Sequence, residues 1–303
     1  MLKVKFAVFT TMLPAWTTEE AIRKLAVMGY DGIELRVAPV GNSPTTGSSI
    51  GHVNLCTLNL DHLTAEAKAL QPICRSNGIA VASLASYLPV TQLDRMEEVF
   101  EAARILHCPL VRVNAAGYSA SPLSEAEYQR RVNHFAKVVE LARQYEVKAG
   151  IELRCSGCAP TESLGYRLAT NFDPRFVGLI YEPGYLPFGG GQEYHEGLEL
   201  LGPYLAQVRC KNIQWRLDEE AESGVIDYYP LSAPIHHGLV NWRKILAALR
   251  ALDYRGWISI EDFSLWAGTE EKVRHNLVYM QNMKQLVEGL SFEESLSRDV
   301  GRG

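Results

Sequence analysis

Three glutamates stand at the ends of short apolar segments of the chain: Glu152, Glu182 and Glu261. If the fold brings them together, their carboxylates repel one another, so they must bind a cation or hold protons. The sequence offers two sources of positive charge. One is a divalent metal ion, because such ions bind carboxylate oxygens. The other is Arg209 with Lys211, which lie between the second and third glutamates.

These glutamates belong to a regular alternation of short apolar or β-branched segments with longer segments of helical periodicity. The predicted strands cover residues 5–10, 32–36, 80–84, 110–114, 148–154, 177–182, 206–211 and 257–261. A strand followed by a crossover helix, repeated eight times, predicts a closed parallel (βα)8 TIM barrel. A doubly wound open sheet is disfavoured, since no Gly-x-Gly-x-x-Gly turn follows the first strand.

The carboxyl ends of the strands of such a barrel meet at one mouth, where barrel enzymes have their active sites. Charged residues are concentrated at these ends. Beside the three glutamates they are Glu34, Arg36, Arg112, Arg154, Arg209 and Lys211. Long loops at 37–61 and 213–238 follow strands and are therefore expected on the same face. Four aromatic residues are candidates for contact with the carbon skeleton of a ligand, with ordinary packing as the alternative: Trp16, Tyr87, Tyr185 and Trp215.

The composition limits the classes of partner and compartment. We expect a single domain over residues 1–303, with its core at about 4–289 and a polar tail at 290–303. The net charge of −5 argues against nucleic acid and anionic membranes as partners. No apolar segment approaches the roughly 20 residues that span a bilayer. The few, scattered cysteines indicate a reducing, cytoplasmic location, and the CxxC of Cys155 and Cys158 is interpreted as two unrelated thiols.

Several strings of residues recur in the order and spacing of one known family. They are Gly-Ile-Glu-Leu at 150–153, Val-Gly-Leu-Ile-Tyr-Glu-Pro-Gly at 177–184, and the segments 29–35, 199–212, 238–242 and 254–261. Together they resemble the xylose isomerase-like TIM barrel superfamily, and within it the sugar phosphate isomerase/epimerase group. The resemblance runs from Lys5 to about Leu286 and implies the same eight-stranded barrel.

In that family one metal ion is held by Glu, Asp, His and Glu from the fifth to eighth strands. Carried over by position, these ligands are Glu152, Glu182 in place of Asp, Arg209 in place of His, and Glu261. Arg209 breaks the pattern, because a guanidinium has no free electron pair and stays protonated. Two outcomes stay open. Either Mn²⁺, Mg²⁺ or Zn²⁺ is held weakly by Glu152, Glu182 and Glu261, or no metal binds and Arg209 supplies the positive charge.

Three histidines near the mouth are candidates to replace the lost metal ligand, although an ordinary exposed histidine is the alternative for each. They are His195, His236 and His237.

The resemblance implies that Glu152 and Glu261 are a catalytic acid/base pair on either side of a substrate carbon. Moving a proton beside a carbonyl needs a base near the carbon and a cation near the oxygen. The cation is the metal, or Arg209 with Lys211. Arg216 resembles a family contact to a substrate oxygen.

The sequence thus predicts an isomerase or epimerase of a small ketose, sugar acid or polyol. Two alternatives stay open: a dehydratase of the keto-inositol type, and a non-catalytic barrel that binds a sugar. The absence of a Gly-rich phosphate-binding loop favours an unphosphorylated substrate. The resemblance is compatible with a homo-oligomer, since relatives are often dimers or tetramers.

Overall fold

The computed structural model describes residues 1–39, 54–114, 124–154, 159–186, 193–218, 228–292 and 294. Cys155, Cys158 and most of the predicted tail lie outside these residues. The strands are β1 (Lys5–Phe9), β2 (Gly32–Ala38), β3 (Thr57–Asn59), β4 (Ala80–Pro89), β5 (Leu110–Asn114), β6 (Lys148–Glu152), β7 (Val177–Tyr181), β8 (Leu205–Cys210), β9 (Asn212–Leu217), β10 (Tyr228–Ala233) and β11 (Trp257–Ile260).

Eight of these strands form a closed parallel barrel, in the order β1, β2, β4, β5, β6, β7, β8 and β11. Closure occurs at β1, where Ala7 pairs with Gly32 of β2 and Lys5 pairs with Trp257 of β11. Most of these strands are buried along nearly their whole length, as in a sheet with both faces covered. The predicted (βα)8 barrel is confirmed, with every predicted strand in place.

Helices alternate with the barrel strands. They are α1 (Thr18–Met28), α2 (Leu63–Asn77), α3 (Leu93–Ile105), α4 (Glu125–Tyr145), α5 (Glu162–Ala169), α6 (Tyr194–Leu201), α7 (Trp242–Ala251) and α8 (Thr269–Glu288). The start of α1 is fixed by a capping box of Thr17 and Glu20, and Gly29 ends the helix at a φ of 90°. In the part of the chain that is described, no helix is long and apolar enough to cross a bilayer.

The two long connections contain strands where the sequence predicted loops. Thr57–Asn59 adds β3 to the end of β2, and β9 and β10 form an antiparallel hairpin between Asn212 and Ala233. Arg216 pairs with Tyr229 in this hairpin, and Pro230 lies within β10. A proline within a segment normally argues against predicting a strand there. It is tolerated in a two-stranded ribbon, because both strands of the ribbon are edge strands. The hairpin is therefore a correction to the predicted loop.

Gly178 on β7 lies where two barrel strands approach too closely for a side chain. A Cβ at this residue would lie 2.4 Å from Cβ of Ala206 on β8. We expect Gly178→Ala to lower the free energy of unfolding by about 1–3 kcal/mol, measured by urea denaturation. Gly289→Ala is the control, because its Cβ would meet nothing closer than 3.7 Å. Equal denaturation midpoints for the two variants would contradict this account.

Candidate active site

A cavity with about 350 Å³ of empty space, part of it open to solvent, lies at the carboxyl ends of the barrel strands. The residues that line it are Thr11, Tyr87, Arg112, Glu152, Arg154, Glu182, Tyr185, Arg209, Lys211, Glu261 and Phe263. The lining is mostly charged, which suits a small polar ligand and not an apolar one.

Arg209 lies at the centre of the carboxylates. Alternate residues of β8 face the barrel interior, which buries both Gln207 and Arg209 there. The guanidinium of Arg209 contacts the carboxylates of Glu34 and Glu152, and its Nη1 lies 3.7 Å from Oε2 of Glu182. Gln207 Nε2 donates a hydrogen bond of 2.8 Å to Glu34. One arginine therefore contacts carboxyl groups from β2, β6 and the end of β7.

Lys211 provides a second cation, immediately after β8. Its Nζ lies 3.3 Å from Oε1 of Glu182 and 3.4 Å from Oε2 of Glu261. It also donates to the hydroxyl of Tyr185 at 3.1 Å. Glu182 is thus shared between Lys211 and Arg209, and Lys211 connects the carboxylates that follow β7 and β11.

Two further arginines surround Glu152. Arg112 Nη1 lies 3.3 Å from each carboxylate oxygen of Glu152, and its Nη2 donates to the carbonyl of Ser86 at 3.2 Å. Arg154 is more distant, with its Nη1 3.9 Å from Oε2 of Glu152. Glu152 is therefore held by Arg112, Arg154 and Arg209 together.

These contacts determine the protonation state of Glu152. Burial on its own would raise the pKa of this carboxyl group. Arg112, Arg209, Arg154 and Lys211 outweigh burial, and they lower the pKa to about 2. Glu152 is consequently a fixed carboxylate at neutral pH, and it is a weak base.

Glu182 has the opposite character. Its side chain is fully buried, and burial is the largest cause that raises its pKa. Glu261 and Glu152 raise it further, whereas Lys211 and Arg209 lower it, and the resulting pKa is about 8. Glu182 is thus largely protonated at pH 7 and can donate a proton from inside the barrel.

The raised pKa of Glu182 makes stability depend on pH. The folded-state pKa of about 8 exceeds the ordinary value of 4.5, so this group's contribution is complete below pH 4.5 and is lost as the pH rises to 8. We expect the unfolding free energy of the native protein to fall, relative to Glu182→Gln, by on the order of a few kcal/mol over this range. Denaturant titrations at several pH values measure the difference. Glu271→Gln, at an exposed residue of α8, should follow the native protein.

The residues present do not fit a metal ion. The space between Glu152 and Glu182 is taken by the guanidinium of Arg209, and the space between Glu182 and Glu261 is taken by the ammonium of Lys211. A metal there would meet two fixed positive charges. Within the described ranges, no group of three or more His, Cys, Asp or Glu side chains is arranged to hold a metal.

The three candidate histidines do not complete a metal site either. His195 packs against the ring of Phe292, and His236 packs against Trp266. His237 is exposed. None of them is among the residues that line the cavity. Of the two sources of charge left open by the sequence, the structure favours Arg209 with Lys211.

Seven predicted site residues are brought together at the cavity. They are Glu152, Glu182, Glu261, Arg209, Lys211, Tyr87 and Tyr185. The other three predicted residues do not line it. Trp16 is buried with Lys24 over its ring, whereas Trp215 and Arg216 are exposed on the β9–β10 hairpin. Their roles in binding stay predictions.

Five residues at the site had no role assigned from the sequence, and one of them is Phe263 of the cavity lining. Glu34, Arg112 and Arg154 were recognised only as charged strand ends, yet each contacts the buried charge network. The sequence did contain evidence for a role of these three residues, because a charged side chain buried within an apolar strand needs a partner. Thr11 lines the cavity and follows β1, but an isolated threonine after a strand carries no such signal.

The fold is shared with solved enzymes. The 3-keto-D-glucoside 4-epimerase from E. coli superposes with a TM-score of 0.69 over 92% of this chain and 100% of its own, at 14% identity. The probable 3-DHS dehydratase of Bacillus anthracis gives a TM-score of 0.71 over 92% of this chain and 99% of its own, at 15% identity. At these identities the likeness concerns the fold alone.

Sequence comparison identifies the family. An inosose dehydratase from Geobacillus kaustophilus is 23% identical over 177 residues, which cover 55% of this chain and 54% of the relative. The chain spans about half the length of the curated relatives it matches. A family model described as xylose isomerase-like TIM barrel matches residues 22–283. The chain therefore belongs to the xylose isomerase-like TIM barrel family.

Proposed function

We propose that this protein is an isomerase or epimerase that moves a proton at a carbon next to the carbonyl of a small sugar or polyol derivative. The single observation that carries the proposal is the cluster of carboxylates around Arg209 and Lys211 in the cavity. The cluster combines proton-transfer groups with fixed cations, and both are needed to form and stabilise an enediolate.

Lys211 and Arg209 supply the positive charge in this proposal. When a proton leaves the carbon, negative charge develops on the adjacent carbonyl oxygen. Lys211 lines the cavity and is held by Glu182, Glu261 and Tyr185, so its ammonium group is oriented before the substrate arrives. Because this charge comes from the chain itself, the proposed reaction needs no metal ion.

Glu261 is the proposed base. It lines the cavity, and its carboxylate is paired with Lys211. Glu182 is the proposed acid, because its raised pKa keeps a proton available at neutral pH. Glu152 was predicted as one member of the acid/base pair. Its pKa of about 2 favours a different role, in which it holds Arg112 and Arg209 in place.

The test is turnover in D₂O with a panel of ketoses, keto-sugar acids and inososes. We expect deuterium at one carbon of the recovered compound, detected by proton NMR, because an acid/base pair exchanges its proton with solvent. Prior dialysis against EDTA should change the rate less than about twofold. Tight binding without exchange, with or without added Mn²⁺, would contradict the proposal and indicate a non-catalytic sugar-binding barrel.

Dehydration is a second candidate function, favoured by the protonated state of Glu182. The same base and cations would form the enolate, and Glu182 would then protonate a departing hydroxyl group on the next carbon. The relatives named inosose dehydratase are consistent with this chemistry. A product lighter by one water in the mass spectrum, instead of an isomer of equal mass, would select dehydration.

A further inference from the structure

Arg154 is an arginine at the cavity whose guanidinium donates no hydrogen bond to any described residue. It follows Glu152 by two residues, lines the cavity, and keeps 30% of its side chain exposed. Among the described residues its guanidinium makes one ionic contact, at 3.9 Å to Glu152, which is too long for a hydrogen bond. Its buried Nε has no hydrogen-bond partner there. The guanidinium lies 5.6 Å from the ring of Tyr185.

The charges of the cavity do not balance without a ligand. Among the described residues, the lining holds four cationic side chains, Arg112, Arg154, Arg209 and Lys211, but three carboxyl groups. Glu34 and Arg36, just behind the lining, add one charge of each sign. The site therefore carries surplus positive charge, although the whole chain has a net charge of −5.

Arg36 is a second arginine near the cavity, and it lies beside Tyr87 of the lining. Arg36 is 9% exposed, and its Nε has no hydrogen-bond partner within the described part of the chain. Its guanidinium lies 5.4 Å from the ring of Tyr87, and that of Arg112 lies 4.4 Å from the same ring. The Nε atoms of Arg36 and Arg154 are buried, so the donors that a ligand in the cavity can reach are the Nη groups of Arg154, which lines the cavity and keeps 30% of its side chain exposed.

We propose that the substrate carries a carboxylate in addition to its hydroxyl groups, and that Arg154 binds this carboxylate at the cavity. The naming of a substrate class rests on the proposed function, whereas the anion site rests on the geometry alone. The reacting carbon would lie beside Glu261, with its carbonyl oxygen towards Lys211. The carboxylate would lie towards Arg154, so that binding orients the substrate along the cavity.

A carboxylate fits this site better than a phosphate ester. The guanidinium fork matches the oxygens of carboxylates and of phosphates alike, so the preference must come from the rest of the lining. Phosphate groups commonly bind backbone N–H groups at helix N-termini or Gly-rich loops. The described lining presents charged and aromatic side chains instead.

The experiment is isothermal titration calorimetry of the full chain with three matched six-carbon compounds: D-gluconate, D-glucitol and D-glucitol 6-phosphate. We expect D-gluconate to bind at least about 10-fold more tightly than D-glucitol, because a charge-assisted hydrogen bond is gained. Arg154→Gln should weaken D-gluconate about 10- to 100-fold and leave D-glucitol unchanged. Arg154→Lys, which keeps the charge but loses the fork, should be intermediate.

Arg175→Gln is the matched control. This arginine is exposed, pairs with Asp173 and precedes β7, at the opposite end of the barrel from the cavity. Its variant should bind D-gluconate as the native protein does. Equal affinity for D-gluconate and D-glucitol, no binding of any compound, a preference for the phosphate ester, or an unchanged D-gluconate affinity in Arg154→Gln would each overturn the inference.

The two proposals fail separately, because binding is measured without turnover. Loss of deuterium exchange in Glu261→Gln together with an unchanged Arg154→Gln would support the proposed function and refute the carboxylate site. A carboxylate preference that depends on Arg154, in a protein that exchanges no deuterium with any compound, would support the site and refute the proposed function.

Discussion

Replacement of Arg209 by methionine is expected to lower the free energy of unfolding by about 3–5 kcal/mol, which is the cost of removing one partner of a buried ion pair. Arg209 is 1% exposed and contacts Glu34 and Glu152, with Glu182 at 3.7 Å. Methionine fills much of the same volume without the charge, so the loss is electrostatic more than it is a loss of packing.

The loss in Arg209→Met should grow as the pH rises. Without the guanidinium, burial and mutual repulsion raise the pKa of the remaining carboxyl groups, which then fold most readily when protonated. A group whose pKa is raised by folding loses its contribution to stability as the pH increases. Urea denaturation at pH 5 and pH 8 should therefore show a larger difference from the native protein at the higher pH.

Arg175→Met is the control for the Arg209 variant. Its guanidinium pairs with Asp173 at the surface, with 77% of the side chain exposed. Exposed pairs contribute about 0–1 kcal/mol, so this variant should remain close to the native protein at both pH values. A loss below about 1 kcal/mol in Arg209→Met would show that the buried carboxylates do not depend on this arginine.

The barrel itself could be predicted from the sequence because its strands are continuous apolar segments. Val177–Tyr181 is buried at every residue, which is typical of a parallel strand covered on both faces. Strand order followed from the repeated crossover, since each strand pairs with the next in a closed barrel. The β9–β10 hairpin could not be predicted, because it packs mostly at the surface and lacks a clear apolar alternation.

The site could be predicted in its residue types but not in its pairings. The charged strand ends converge by topology, so Glu152, Glu182 and Glu261 could be placed at one mouth. The contact of Arg209 with Glu34 joins residues 175 positions apart, and it depends on side-chain directions across the barrel. For the same reason the sequence could not show that Arg209 and Lys211 lie between the carboxylates.

The four candidate aromatic residues show a second limit of predicting the site from the sequence. Tyr87 and Tyr185 line the cavity, whereas Trp16 and Trp215 do not. All four lie near strand ends in the sequence, so proximity to the mouth did not separate them. The difference arises from local direction: Trp16 turns into the core below Lys24, and Trp215 lies on the exposed hairpin. Such directions are set by tertiary packing, which a single sequence does not specify.

Glu261→Gln is expected to reduce kcat by about 1,000-fold on the substrate identified by deuterium exchange, because removal of a general base typically costs 100- to 10,000-fold. Glutamine keeps the size and the polar contacts of the side chain, so Lys211 retains its contact of 3.3 Å to Glu182 and the cavity keeps its shape. KM should change little, since the lost interaction is made mainly in the transition state.

A comparison of three glutamate variants distinguishes the catalytic base from a glutamate that only positions other side chains. Glu152→Gln should lower activity less than Glu261→Gln, because Glu152 is a weak base that orients Arg112 and Arg209. Glu271→Gln makes the same chemical change at an exposed residue of α8 and should keep full activity. Steady-state rates and the rate of deuterium wash-in measure all three. If Glu152→Gln abolished exchange while Glu261→Gln preserved it, the base would be Glu152 despite its arginines.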